Sequence, residues 1–380
     1  MSASPCFRWL LCTLSSLAVV AALACSGGGK SEDGPQAPVT FGLIVPLTGS
    51  AAEFGIHEQN AALILRDELK ESDGVQIELA IEDSKGEPTT GLSAFRKILS
   101  TQPPVGVYTE LSSVSLAIAP VAQENRTIMI SVAANPALTK SNSYAFRNFP
   151  DANRQAVQMA AETVSSLGIK RVAIFHVLDD FGESMKEAYG AEVASLGGKV
   201  VANESFPPDG TDLKAQAAKL IAARPEAIYV VGYGQPLGTA LRQLREQGFE
   251  GRLLSGLEVA FEDVLTSARG AANDVIYLDV GFDPYSDDPK VAAFVKTYET
   301  RFNKTPSMVA ALAYDGLTLL AEAVAAVGSD PDRLRDHLMG VSGHPGLCGE
   351  IHITEDRDII TPLVMKILED GKPHLWKPSQ

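Results

Sequence analysis

The chain has 380 residues, 45% of them apolar and 21% charged, and a formal net charge of −15. That length supports two domains, each with its own core. The acidic balance repels nucleic-acid phosphates and anionic lipid, so neither nucleic acid nor a lipid surface is an expected partner of the folded body. The four cysteines are Cys6, Cys12, Cys25 and Cys348. Three precede residue 26, which leaves one thiol for the body of the chain, no internal disulfide and no cysteine pair at zinc spacing.

Arg8 precedes an apolar run from Trp9 to Ala24 that is interrupted by Thr13, Ser15 and Ser16. A charged start, a short apolar centre and small residues at the end are the pattern of an export signal, here residues 1–24. The ending Leu23-Ala24-Cys25 resembles a bacterial lipobox, in which the cysteine carries the lipid; a plain signal peptide with a chance cysteine is the alternative reading. Residues 25–38 are rich in Gly and Ser and read as a flexible tether. Lipid, tether and globular body together describe an exported protein attached to the membrane through its lipid anchor alone. No later apolar run reads as long enough to span a bilayer.

Regular patterning begins after Pro38. An apolar, β-branched run at 39–45 reads as a strand, and helical spacing follows at 53–69. Strands are expected at 75–81, 105–108 and 127–130, with helices at 88–99 and 113–123 between them. This alternation predicts a parallel sheet wrapped by helices, an α/β fold. The pattern restarts with helices near 153–167, 181–196, 213–223 and 236–247. Strands at 171–177, 199–204, 227–231, 252–254 and 275–280 interleave with them. Segments 146–153 and 281–289 read as crossovers between the two series, because Asp and Pro break regular structure there. Helices at 290–302, 308–327 and 331–339 and strands near 350–353 and 363–368 complete the chain.

Searches for catalytic constellations fail. The chain has no G-x-S-x-G nucleophile elbow. His57-Glu58-Gln59-Asn60-Ala61 begins like a zinc helix but carries Ala61 where the second histidine belongs. Asp283, Asp287 and Asp288 lack the spacing of a calcium loop. Gly232-Tyr233-Gly234-Gln235-Pro236-Leu237-Gly238 follows a strand and precedes Glu258, in the manner of a dinucleotide-binding turn. Its glycines, however, are spaced G-x-G-x-x-x-G, and Pro236 interrupts the turn. The expectation is a binding protein with no cofactor and no metal.

A set of short motifs in fixed order carries a more specific signal. It begins with Phe41-Gly42-Leu43-Ile44-Val45-Pro46-Leu47-Thr48-Gly49, Phe54-Gly55 and Glu82-Asp83. Ser112-Ser113, Ile130-Ser131, Asn135-Pro136-Ala137-Leu138-Thr139 and Tyr144-Ala145-Phe146-Arg147 follow. Asp179-Asp180-Phe181-Gly182, Gly232-Tyr233-Gly234 and Ala311-Leu312-Ala313-Tyr314-Asp315-Gly316 complete the set. With these motifs the chain, from Val39 to about Lys372, resembles the leucine/isoleucine/valine-binding family of type I periplasmic binding proteins. The resemblance implies two doubly wound parallel-sheet lobes joined by three crossovers, with the ligand in the cleft. Lobe 1 is then 39–150 with 282–349, and lobe 2 is 151–281 with 350–380. It also implies the substrate-binding component of an ABC importer, which captures an amino acid by hinge closure and passes it to permease subunits. A receptor of the same fold that reports an amino acid or amide to a partner protein is the alternative.

The resemblance assigns contacts residue by residue. Ser112 and Ser113 match a serine turn that receives the ligand carboxylate at a helix start, where either serine could equally be a plain N-cap. Ala133, Ala134 and Asn135 match the loop that supplies backbone and polar groups, although Asn135 could instead hold the turn before Pro136. Tyr233 matches a ligand-side tyrosine, and Glu258 an acid that pairs with the ligand ammonium. Phe54 and Phe181 stand where relatives often carry tyrosines, keeping an apolar wall without the hydroxyl. Thr109-Glu110 replaces small or apolar residues; Glu110 either points away or places a negative charge near the ligand.

Overall fold

A computed structural model describes residues 38–377 with the exception of Asp73. The export signal, the tether and Cys25 lie outside the described residues.

The first series is β1 (Val39–Val45), α1 (Ala52–Glu71), β2 (Ile77–Asp83), α2 (Pro88–Thr101), β3 (Gly106–Glu110) and α3 (Ser112–Glu124), then β4 (Ile128–Val132), α4 (Ala137–Ser141) and β5 (Ala145–Arg147). Its strands pair in parallel in the order β2-β1-β3-β4-β5. Every residue of β3 and β4 is buried. A parallel sheet must be covered on both faces, which is why these strands read as continuous rather than alternating apolar runs.

The second series is α5 (Ala152–Ala160), which runs into a π turn at Ala161–Ser166, followed by β6 (Arg171–Val177), α6 (Asp180–Ser195), β7 (Lys199–Phe206), α7 (Lys214–Ala222) and β8 (Ala227–Val231). It continues with α8 (Gly234–Glu246), β9 (Arg252–Ser255), a 3-10 turn at Leu257–Ala260, α9 (Glu262–Ala268) and β10 (Ile276–Val280). The chain then returns to the first body as α10 (Pro289–Phe302), α11 (Met308–Val327) and α12 (Pro331–Met339). A small antiparallel sheet follows, made of β11 (Ser342–Gly346), β12 (Gly349–Ile353) and β13 (Ile359–Ile360). The last strands, β14 (Leu363–Glu369) and β15 (Lys372–Leu375), complete a second sheet of order β15-β14-β10-β9-β8-β6-β7. β14 runs antiparallel to β10. The chain passes between the two bodies after β5, after β10 and after β13.

Two expectations change. Residues 350–360, which the resemblance places with the second lobe, pair in the small third sheet and touch the first body. Arg147 forms a buried ion pair with Asp358, and the Arg357 guanidinium donates to the Thr139 carbonyl. The other concerns α11, which is long and apolar enough by length and composition to cross a membrane. In the fold 78% of its most apolar window is buried. It packs against α1 and the strands β3 and β4, so its apolarity serves the core of the first body.

Asp315 on α11 fixes the small sheet. Its carboxylate accepts from the Leu347 N–H at 2.8 Å and the Cys348 N–H at 3.1 Å, with all three groups buried. Burial pushes its pKa up to about 6, so the carboxylate depends on those donors. Removing it strands two buried N–H groups. Asp315→Ala is expected to destabilise the protein by roughly 3 kcal/mol, read as a lower urea midpoint. An unchanged midpoint would mean that the β11–β12 turn holds itself.

Candidate functional site

Parallel strands deliver their carboxyl ends, and the amino ends of the following helices, to one edge of each sheet. In this fold those edges face each other. Between them lies a small cavity, about 350 Å³ when its opening to solvent is counted, lined by Phe54, Glu110, Leu111, Ser112, Val132, Ala133, Ala134, Phe149, Phe181, Tyr233, Glu258, Met308 and Val309.

The first-body wall comes from the β3–α3 and β4–α4 turns. α3 begins at Ser112, one residue earlier than the pattern suggested, and Leu111 at its N-cap takes φ +72°. A non-glycine residue in that conformation is strained by about 1–3 kcal/mol. Ser112 Oγ accepts from the Ala134 N–H at 3.1 Å and the Asn135 N–H at 3.3 Å, tying the two turns together. A hydroxyl with both lone pairs engaged has only its proton left to donate. The first N–H groups of α3 likewise have no acceptor within the helix. Behind them, Thr109 Oγ1 bonds Ser115 Oγ at 2.8 Å and Ser131 Oγ at 2.7 Å, a buried hydroxyl chain that holds β3, α3 and β4 in register.

Acidic groups define the electrostatics. Among the described residues, no Lys, Arg or His lines the cavity. Glu258, on the 3-10 turn after β9, is 5% exposed, and its Oε2 has no hydrogen-bond partner. Burial, reinforced by Glu110, pushes its pKa up to about 8. Glu110, at the end of β3, is 3% exposed. Burial raises it to about 7, and its Oε2 has no hydrogen-bond partner. Glu58 on α1 is fully buried, accepts from the Tyr108 hydroxyl at 3.1 Å, and is itself driven well up by burial and by Glu110. Two facing buried carboxyls are stable when they share a proton.

The aromatic wall spans both bodies. Phe54 on α1 stands edge-on to Tyr233 at 6.0 Å and to Phe261 at 4.6 Å, and Phe181 lies 6.3 Å from Tyr233. The Tyr233 hydroxyl donates to Asp179 Oδ2 at 2.7 Å, while Asp179 Oδ1 caps α6 through the Gly182 N–H. Asp179 thereby fixes the ring from behind.

Of the residues singled out in the sequence, the structure brings Phe54, Ser112, Ala133, Ala134, Phe181, Tyr233 and Glu258 around the cavity. Ser113 and Asn135 are outside its lining. The Asn135 side chain is occupied otherwise: Oδ1 accepts from the Ala137 N–H at 2.9 Å, and Nδ2 donates to the Asp180 carbonyl at 3.3 Å. Asn135 therefore holds the turn before Pro136 and bonds across the cleft. Sequence reasoning missed Leu111, Val132, Phe149, Met308 and Val309, and it missed Asp179 as the support of Tyr233. Met308 and Val309 open α11, far along the chain, and only the return of that helix to the first body brings them here.

Other contacts close the cleft. Glu53 on α1 accepts from the Glu262 N–H at 3.2 Å and the Asp263 N–H at 3.0 Å at the start of α9. Gly234, at φ +65°, lies so near Ser50 that a Cβ would stand 2.1 Å from the Ser50 carbonyl oxygen. The glycines of the 232–238 motif thus serve close approach, and Gly238 does so against α9, where a Cβ would meet the Val264 carbonyl at 2.3 Å. A larger groove of about 1,200 Å³, open to solvent, runs alongside. Its charged groups are internally paired, Asp279 with Lys366 at 2.8 Å, and its unpartnered Tyr277 and Ser307 hydroxyls are neutral. The unpaired ionisable groups belong to the smaller cavity.

A two-lobed α/β body with a small cavity between facing sheet edges is the architecture of a solute-binding protein. The family model described as periplasmic binding protein matches residues 38–372. A Leu/Ile/Val-binding protein, BraC3, of Rhizobium johnstonii is 27% identical over 263 residues, 68% of this chain and 72% of that protein. The crystal structure of a leucine-binding protein, LivK, of Thermotoga maritima superposes with a TM-score of 0.82 at 26% identity, covering 89% of this chain and 98% of that one. A branched-chain amino-acid substrate-binding protein of Streptococcus pneumoniae, in complex with isoleucine, gives a TM-score of 0.81 at 24% identity, covering 88% and 97%. The chain belongs to the leucine/isoleucine/valine-binding family of type I periplasmic binding proteins. It is a periplasmic solute-binding protein of the ABC-transporter class.

Two outcomes follow from this geometry. Glu58, Glu110, Glu258 and Asp263, the last also pushed up to about 7 by burial and Glu53, hold protons in the folded protein that ordinary carboxyls have lost. The folded state then binds more protons than the unfolded one, and stability falls as pH rises. His57, lowered to about 4 by burial, acts in the opposite sense only below about 6.5. Between pH 6.5 and 8 the thermal midpoint of the empty protein is expected to fall; a flat or rising midpoint would show these carboxyls to be hydrated. Gly234→Ala, which sets a methyl against Ser50, is expected to hold the lobes apart. Small-angle scattering should then give a larger radius of gyration with unchanged circular dichroism, and an unaltered radius would refute the close approach.

Proposed function

We propose that this protein captures an amino-acid-like solute in the cavity between Ser112 and Glu258 by hinge closure and delivers it to the permease of an ABC importer. The observation that carries this reading is the pairing of opposite poles across one small cavity. On one wall are the donor-only Ser112 hydroxyl and the start of α3, a place that favours a carboxylate. On the other is Glu258, a buried acid without a cation. An α-ammonium group would supply the missing partner, and such a charge-assisted contact is strong in a dry cavity. The aromatic wall of Phe54, Phe181 and Tyr233 then takes the side chain. Because the two poles sit on different lobes, a ligand that bridges them favours the closed form over the open one. The relatives that bind leucine, isoleucine or valine support the same reading. Lipidation at Cys25 would keep the protein at the membrane beside its permease, a role consistent with the Leu23-Ala24-Cys25 motif.

Native mass spectrometry of the purified protein tests the reading by identifying the solute it retains. With that solute, calorimetry at pH 6.5 should show release of about one proton, because an ammonium displaces the proton held on Glu258. Glu258→Gln should abolish the release and weaken binding about ten- to a hundredfold. Unchanged affinity in Glu258→Gln would place the ammonium elsewhere, and a retained solute without an amino group would overturn the assignment.

A further inference from the structure

We propose that Glu110 is a specificity-determining residue that selects ligands carrying a second nitrogen-centred hydrogen-bond donor, an ammonium, amidinium or carboxamide NH2 group, in addition to the α-ammonium group. This inference rests on the amino-acid reading given above and names the side-chain class.

Glu110 and Glu258 both line the cavity, from β3 of one body and from the turn after β9 of the other. Both are more than nine-tenths buried. One α-ammonium group satisfies one of them. The second has no protein cation to meet, because among the described residues no Lys, Arg or His lines the cavity. Glu110 Oε2 is buried without a hydrogen-bond partner. The acid beside it, Glu58, gives its Oε1 to Tyr108 and leaves its own Oε2 unpartnered. Two such neighbouring carboxyls hold one proton between them more readily than they both ionise, which leaves one negative charge beside the cavity. Phe54, Val132, Phe149, Phe181 and Val309 supply apolar walls but no donor. Closing such a site over a purely aliphatic side chain strips water from Glu110 and gives nothing back, a loss that buried polar groups make large. A ligand NH group placed against Glu110 removes that loss. Glu110 and Ser112, the proposed carboxylate end, line the same cavity, so one ligand could meet both.

Calorimetry on the purified protein with two arms of probes tests this. Leucine and valine represent the aliphatic class. The ammonium arm is 2,4-diaminobutyrate and ornithine, and the amide arm is asparagine and glutamine. The expected result is that at least one nitrogen-bearing probe binds about tenfold or more tightly than leucine, and that Glu110→Ala reverses this order. Glu110→Gln keeps the size and an acceptor oxygen. It should retain the amide arm and lose the ammonium arm, which also serves if the alanine variant misfolds. If leucine or valine binds most tightly, and either folded Glu110 variant leaves the ranking unchanged, the role of Glu110 is overturned while the amino-acid reading stands. If a folded, ligand-stripped protein binds no probe in either class, the amino-acid reading itself fails and this inference falls with it.

Discussion

Removing a carboxyl group from water is expensive unless a cation or a set of donors takes the place of the lost hydration. Glu110 and Glu258 are buried in the wall of one cavity, with Glu58 buried behind them, and among the described residues no basic side chain lines that cavity. Burial pushes the pKa of all three carboxyls up, to about 7 for Glu110 and about 8 for Glu258. On the reading proposed above, a bound cation would relieve that cost, and the relief would favour the closed lobes.

The surrounding structure serves to hold those groups in place without satisfying them. β3 ends in Glu110, turns through the strained Leu111 and starts α3 at Ser112 within three residues. The strain at Leu111 is sustained because Ser112 is locked to the next turn and Thr109 to the hydroxyl chain behind it. Asp179 orients Tyr233 from the second body. The cleft edges themselves are built to touch: Glu53 caps α9 across the gap, and Gly234 gives up its side chain so that Ser50 can approach. A few short contacts thus join the two rims of the cleft.

Much of the fold was legible in the sequence. The strand expected at 39–45 is β1, and the βα alternation corresponds to the first sheet and to the parallel part of the second, because strands covered on both faces must be short unbroken apolar runs between helical repeats. The glycines at 232–238 were legible as a motif but not in their reason, since close approach to Ser50 and to α9 is set by distant parts of the chain. α11 was visible as an apolar helix, yet its apolarity has meaning only once α1 and the first sheet pack around it.

The sequence by itself determined the α/β class, the family and most of the residues that line the cavity, because local patterning and ordered motifs are properties of neighbouring residues. Only the tertiary structure decided which carboxyls meet. Glu58 lies on α1, Glu110 at the end of β3 and Glu258 on the turn after β9, and their burial and proximity depend on distances through space. It also decided that Asn135 holds its turn, that Ser112 and not Ser113 faces the cavity, and that residues 350–360 pair in the small third sheet. Each of these outcomes depends on where polar groups find their partners in the folded chain, which the apolar pattern does not register.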